Sequence, residues 1–424
     1  MKTVTENVDL LVAGGGTAGH IAAIQAARAG IRVSLIEAGS MLGGTMTEGG
    51  VFMPNHFHAP DRPVVQGIPW ELFTKSKAAE GLPLKDFTKR KPVETPGYYS
   101  WINVPVYASV AEQEAVDAGV RLHYHEFTGE VQSTGNTWEV RSYGRGIKRL
   151  TIAREVIDCT ADADLCRELG LEVEKSPHRQ PGTLQYRIEN IDTQQIWPGE
   201  AEAIYQDALH RGRLQKGDWA YFHSNFSQYL YRGGHNCTHI YDCDTSDAEG
   251  QTRGNIEGRR RMLRMFEFVR DEIPGGERAV LKTMYARALC REGFRVIGEH
   301  RISEPEFFQG AAYADAICNA FNYIDLHNEK TGCQEIFHED RTLVPKLPFR
   351  ALIPKGSSRI TIAGRHISSD RVAMAGIRAQ CTCMAMGQAM GAAAALAVQK
   401  GVPSRDIPAQ DIVALTVEHG AVPV

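Results

Sequence analysis

The sequence predicts an α/β fold organised around a parallel sheet, and three observations carry that prediction. A short apolar run, Asp9 to Ala13, meets a glycine cluster directly; an Ala-rich stretch from Ile21 to Ala29 follows and is closed by Gly30; a second apolar run from Ile31 stops at an acid, Glu37. Strand, glycine turn, helix and second strand in sequence are how a doubly wound sheet begins.

The turn reads Gly14-Gly15-Gly16-Thr17-Ala18-Gly19. Gly14 permits the tight turn, Gly16 lets the backbone approach a pyrophosphate, and Gly19 lets helix and strand pack closely, while the helix N-terminus offers free N–H groups to phosphate. Thr17 and Ala18 belong to the same phosphate-facing set, and Glu37 is placed to accept hydrogen bonds from a ribose. The whole unit is a Rossmann-like dinucleotide fingerprint. Beyond it, Gly39 to Gly50 is a second glycine-rich loop, and 54–100 is Pro-rich without clear periodicity. Val104 to Ala118 predicts a helix, Val120 to Phe127 a strand, and Trp138–Tyr143 with Ile147–Ile152 a hairpin pair. Glu155 to Asp162 is a buried strand running into a turn. From about 180 to 345 the texture becomes aromatic and polar, with a charged helix from Glu257 to Asp271. Arg359 to Arg365 is a strand ending in a glycine turn, and a Gly/Ala-rich helix spans about Arg378 to Lys400.

Composition narrows the function. A chain of 424 residues exceeds one ordinary core, so two domains are expected. A net charge of −4 argues against a nucleic-acid footprint. The nine cysteines show no disulfide framework, no leader is expected before the first strand, and the run Met384 to Val398 is too short to span a bilayer, so a cytoplasmic location is expected.

With those motifs in view, the chain resembles the FAD-dependent oxidoreductases of the glutathione-reductase-like superfamily, with a fumarate-reductase-like flavin domain. The likeness rests on the fingerprint and on Leu42 to Val51, Val156 to Leu165, Arg291 to Gly298, Tyr313 to Ile317, Ile324 to His327, Ala363 to Ser368 and Met386 to Ala394. Two departures stand out: Ala161 replaces a usual Gly, and Gly293-Phe294 replace the usual middle of an arginine motif. The resemblance implies a Rossmann-like FAD-binding domain made from residues 1–179 and 346–424, with 180–345 as a mixed β/α cap that binds substrate. It also implies noncovalent FAD, with Glu37 at the ribose, Gly14, Gly16 and Gly19 at the pyrophosphate, and backbone near Phe127 beside the adenine. Gly43, Gly44 and Thr45 would line the isoalloxazine, Thr160, Ala161, Gly364 and Arg365 would complete the cradle, and the helix beginning near Arg378 would aim its N-terminus at the flavin.

Candidate chemical groups follow. Arg291 and Arg295 are four apart, a spacing that returns to one side in helix or strand, and two guanidiniums there would fork a carboxylate; the alternative is a structural ion-pairing role. His56, His58 and His327 are candidates to handle a proton. No metal site is expected, and the run Arg259 to Arg264 reads as a solvated helix face. No second nucleotide motif occurs in 180–345, so electrons are expected to pass to or from an external partner. The expected activity is hydride transfer between flavin N5 and a small polar, carboxylated molecule. Redox-neutral flavin chemistry, as in an isomerase or lyase, and a flavin-containing RNA-modifying protein stand as alternatives.

Overall fold

The computed structural model describes residues 1–87, 100–220, 225–329 and 332–424. Its centre is a sheet whose middle strand, β1 (Lys2–Ala13), lies parallel to β2 (Val33–Glu37), which in turn pairs in parallel with β3 (Arg121–Tyr124). On the other side β1 runs parallel to β6 (Ile147–Asp158), bringing Ala13 opposite Asp158. The far edge of β6 is shared. Its first half pairs antiparallel with β5 (Trp138–Gly144), which continues to β4 (Glu126–Ser133), and its last three residues pair in parallel with Ile360–Ile362. Leu10, Leu11, Val12 and Ala13 are all fully buried, the continuous apolar run expected of a strand covered on both faces. The parallel strands end together at Ala13, Glu37 and Asp158, and this carboxyl edge is where the glycine turns gather.

The segment Val120 to Phe127 is not one strand. It breaks at His125, whose φ of +59° turns the chain and whose N–H bonds Gly39 O, so β3 ends at Tyr124 and Phe127 belongs to β4. Alternating polarity alone does not reveal such a break.

Helix Gly19–Arg28 covers the sheet and is itself covered by helix Gln380–Lys400. The crossing is close because Gly387 and Gly391 sit on it: a Cβ at either would stand 2.1 Å from Ala18 O or 2.3 Å from Ala22 O. The later helix is long and apolar enough to cross a membrane, yet 83% of its most apolar window is buried inside the protein, which makes it a core helix. Buried side chains from Val8 to Cys166 and from Val296 to Ile412 form one core, whereas Tyr186 to Ala279 supply a second. Against the second core lies helix Ala248–Glu272. Its arginine run is not simply solvated: Arg264 grips the fully buried Asp218 through two 2.7 Å bonds, and Arg261 joins it at 3.4 Å. All nine cysteines are free.

Candidate active site

The carboxyl edge of the sheet opens into a continuous cleft of about 1190 Å³, and its nucleotide end is built by backbone. Gly14 turns at φ +93°, and a Cβ on Gly19 would stand 1.8 Å from Gly14 O, so the helix starts directly against the turn. Gly14, Gly16, Thr17 and Ala18 line the cleft; Gly19 lies behind them. Glu37 also lines it, with Oε2 accepting from Gly15 N at 2.7 Å and Oε1 from Gly39 N at 2.6 Å. Burial raises its carboxyl above the ordinary range, while those two bonds oppose the shift. The sheet's other edge contributes Phe127, 65% exposed, with Glu126 and Thr128.

His20, which the motif reading passes over as a helix residue, holds this turn from beneath. Its Nδ1 lies 2.7 Å from Gly16 O and its Nε2 3.0 Å from the Tyr107 hydroxyl. A carbonyl only accepts, so Nδ1–H donates and Nε2 accepts from the phenol. Burial lowers the ring to about 4, which keeps it in this neutral form.

Farther along the cleft, Gly44 and Thr45 contribute to its wall, while Gly43 sits just behind and accepts from Thr17 Oγ1 at 3.3 Å. Thr160, Ala161, Gly364 and Arg365 line the opposite wall. The Ala161 departure has a structural counterpart: the residue takes φ +72°, a left-handed conformation that usually favours Gly. The turn is held by Asp158, which accepts from Thr160 N, Leu165 N and Cys166 N. Gly293 is explained too, because a Cβ there would stand 1.8 Å from Asp162 Oδ1, the carboxylate that pairs with Arg365 at 2.6 Å. Helix Gln380–Lys400 starts at this wall with no side-chain cap, and Ala379, Gln380 and Cys383 of its first turn line the cleft; Arg378 lies just before it, as the C-cap of Arg371–Ile377.

At the other end polar side chains converge. Arg291 lines the cleft and donates to Pro181 O at 2.7 Å; among the described residues it makes no ion pair. Burial, then the neighbouring charge of Arg378, lowers its pKa to about 10. Arg378 donates to Asp325 Oδ2 at 3.0 Å and to Asp325 O at 2.8 Å. Asp325 in turn faces His327, with Nε2 3.0 Å from Oδ1, and His327 Nδ1 lies 2.8 Å from His239 Nε2. Burial and the two arginines lower His327 to about 4, so it is a neutral imidazole at pH 7.

The proposed fork of Arg291 with Arg295 does not form. The strand carrying Arg295 begins only at Phe294, so no single regular element spans both residues, and Arg295 turns away to bond Glu174, Ser176 and Ser369 O. Arg378 takes its place beside Arg291. His56 and His58 are also outside the cleft lining: His56, 1% exposed at φ +70°, packs edge-on against Phe321, and His58 stacks on Phe87 with centroids 4.7 Å apart. Asp325, His239 and Cys333 were not singled out from the sequence. The alternation Asp325-Leu-His327 is the signal that points to the first, since it puts both polar groups on one side of a strand.

The family model for FAD dependent oxidoreductases matches residues 9–415. A comparison with curated proteins finds no match. Among solved structures the fold is similar to p-nitrophenol 4-monooxygenase from Pseudomonas putida DLL-E4 (13% identity over 99% of this chain and 85% of that one, TM-score 0.45). It is similar as well to a geranylgeranyl bacteriochlorophyll reductase-like protein from Thermoplasma acidophilum (11%, 98% and 82%, TM-score 0.45) and a flavoprotein/dehydrogenase from Cytophaga hutchinsonii (14%, 97% and 83%, TM-score 0.47).

Proposed function

The chain belongs to the FAD dependent oxidoreductase family, is an FAD-dependent enzyme, and on that premise we propose that it transfers hydride between flavin N5 and a small carboxylated substrate held by Arg291 and Arg378. The observation that carries this reading is Arg291, a partly buried guanidinium on the cleft wall that makes no ion pair among the described residues and has the charge of a second guanidinium, Arg378, nearby. Buried charges are ordinarily paired, so the missing anion is supplied by the ligand.

The residues present fit FAD. The cleft exceeds the roughly 300–1,000 Å³ usual for a single small ligand, leaving room for cofactor and substrate together. Its nucleotide end offers a glycine turn at a helix N-terminus for a pyrophosphate and the Glu37 carboxylate for a ribose, and the uncapped start of Gln380–Lys400 suits the negative charge of reduced flavin. When bound, FAD supplies the two-electron acceptor or donor. Thr17, Gly44, Thr45, Thr160, Ala161, Gly364 and Arg365, which line the cleft, would form its cradle, and backbone near Phe127 would lie at the adenine end. His20 keeps the Gly16 carbonyl turned inward, away from the phosphates. The attachment is noncovalent, since Gly43-Gly44 occupy the place where covalent relatives carry histidine. We assign residues 1–179 and 346–424 to the flavin-binding domain of a glutathione-reductase-like, fumarate-reductase-like fold; of the stretch 180–345 expected as the cap, Tyr186 to Ala279 build a core of their own, while Val296 to Ile324 pack into the core of the flavin-binding domain. Arg291 then reaches the cleft from the cap side and Arg378 from the flavin side. An external partner completes the electron balance.

Anaerobic mixing of the holoenzyme with a panel of small carboxylates tests this. Lasting bleaching of the flavin by a substrate, weakened in Arg291→Lys at unchanged FAD content, is the expected result. Turnover without any bleaching would indicate redox-neutral chemistry, and equal bleaching by wild type and Arg291→Lys would refute the anion site.

A further inference from the structure

Strands Ile324–Asn328 and Gly332–Ile336 pair antiparallel, with His327 directly opposite Cys333 and Asp325 opposite Glu335. Because side chains alternate along a strand, Asp325, His327, Cys333 and Glu335 share one face, and that face lines the cleft. Three of these residues bring one potential ligand atom each to a common point: Asp325 Oδ1 to His327 Nε2 is 3.0 Å, Cys333 Sγ, donating, to Asp325 Oδ1 3.4 Å, and Cys333 Sγ to His327 Nε2 3.7 Å. Among the described residues this is the one such group of His, Cys, Asp and Glu ligand atoms.

The triangle matches a metal's coordination sphere. With Zn–N and Zn–O near 2.0–2.2 Å and Zn–S near 2.3 Å, a tetrahedral centre separates its ligand atoms by ~3.3–3.7 Å; the two sulfur separations, 3.4 and 3.7 Å, lie in that range, and the 3.0 Å between Oδ1 and Nε2 has to open by a few tenths of an ångström as the cation enters. It does not match a cysteine nucleophile. In such a site the thiol and the carboxylate bind opposite nitrogens of the imidazole, whereas here both approach Nε2 while Nδ1 is taken by His239.

The outer contacts fit as well. A ligating imidazole is normally oriented through its second nitrogen, here by His239 Nε2 at 2.8 Å, and a ligating carboxylate is normally held through its other oxygen, here by Arg378 on Oδ2 at 3.0 Å. We infer that Asp325, His327 and Cys333 form a three-ligand site for a borderline-soft divalent cation of the zinc class, with its open position toward the cleft. A thiolate and an imidazole in the set select zinc-class ions over magnesium or calcium. Binding releases the thiol proton, and the charges of one thiolate and one carboxylate neutralise the cation. Arg291 is therefore left for the substrate anion, with Arg378 beside it still holding Asp325, and one oxygen of that anion completes the coordination. The site goes beyond the hydride-transfer reading, since its occupancy can be measured without turnover.

Holoenzyme stripped of metal by a chelator and titrated with Co2+ tests it. One Co2+ per chain, with d–d absorption at wavelengths longer than the flavin bands and of tetrahedral intensity, is expected. Cys333→Ser should lose the thiolate-to-metal charge-transfer band and weaken binding by at least 10-fold, and His239→Ala should weaken it 10–100-fold, about what loss of an outer partner does. Flavin absorbance reports folding in each variant. Co2+ that fails to survive gel filtration on wild-type holoenzyme, or that binds Cys333→Ser and His327→Asn as it binds wild type, overturns the site, and either result leaves the arginine-bound substrate reading standing.

Discussion

Replacing Gly387 by Ala puts one methyl group where the structure has no room for it. The new Cβ would lie 2.1 Å from Ala18 O, and the equivalent change at Gly391 would lie 2.3 Å from Ala22 O. A carbon meets a carbonyl oxygen comfortably at about 3.3–3.6 Å, so either methyl must push the two helices apart by about 1 Å. Overpacking of this kind costs about 1–3 kcal/mol. The two sites differ in what moves. Ala18 adjoins Thr17 and lines the cleft, so at Gly387 the displacement reaches the phosphate turn and the start of Gln380–Lys400; Ala22 is a full turn farther into the helix. Both variants should melt below wild type as apoprotein. Gly387→Ala should in addition bind FAD more weakly, by up to about 100-fold if most of that free energy appears at the turn. Gly199→Ala, whose Cβ meets nothing within 4 Å, is the neutral control. Thermal melts of apoprotein with FAD fluorescence titration measure both quantities. A Gly387→Ala protein that melts with wild type and keeps its FAD affinity would refute the argument that this helix crossing sets the cradle.

Arg291→Lys keeps the charge but loses the fork, and kcat/KM on the true substrate should fall by about 10–150-fold, equivalent to about 1.5–3 kcal/mol, with FAD content unchanged. Arg295→Lys should instead lower the melting temperature and spare turnover, because its guanidinium bonds Glu174, Ser176 and Ser369 O; steady-state kinetics beside melts separates the two. Acid denaturation followed by filtration should release yellow FAD, and fluorescence retained on the polypeptide would contradict noncovalent binding. Glu71 is held at about 2 chiefly by hydrogen bonds from Arg28, with burial opposing and Lys75 assisting. A depressed carboxyl stabilises the fold above its unfolded pKa and loses that contribution as pH falls through the folded value. Glu71→Gln should therefore destabilise by about 1–2 kcal/mol at pH 7, after discounting for a side chain 33% exposed, and the gap from wild type should close between about pH 4.5 and pH 2 in urea melts.

The two ends of the cleft were unequally legible in the sequence, for a physical reason. The phosphate turn, Glu37 and the close start of helix Gly19–Arg28 lie within one strand-turn-helix-strand unit, whose course is set by glycines at fixed offsets; backbone geometry is local, so contiguous residues report it. Reasoning from periodicity failed where it assumed a regular element that is not there. Arg291 and Arg295 share a face only if one strand carries both, and that strand starts at Phe294. Val120 to Phe127 alternates as a single strand would, until His125 turns it. The arginine that does stand beside Arg291 arrives from the far end of the chain, before Gln380–Lys400, and Cys333 meets His327 only through the register of a hairpin. Neither meeting leaves a trace in spacing. A nucleotide's phosphates are recognised by main-chain N–H groups, so their site is written in consecutive glycines; a substrate is recognised by side chains that converge after tertiary packing, so its site is written in pairings between distant elements. The same reasoning explains His20, whose position inside a helix looks like core until Tyr107 and the Gly16 carbonyl are brought to its two nitrogens. It is a side chain that serves a backbone site, and it became visible only once both had been assembled.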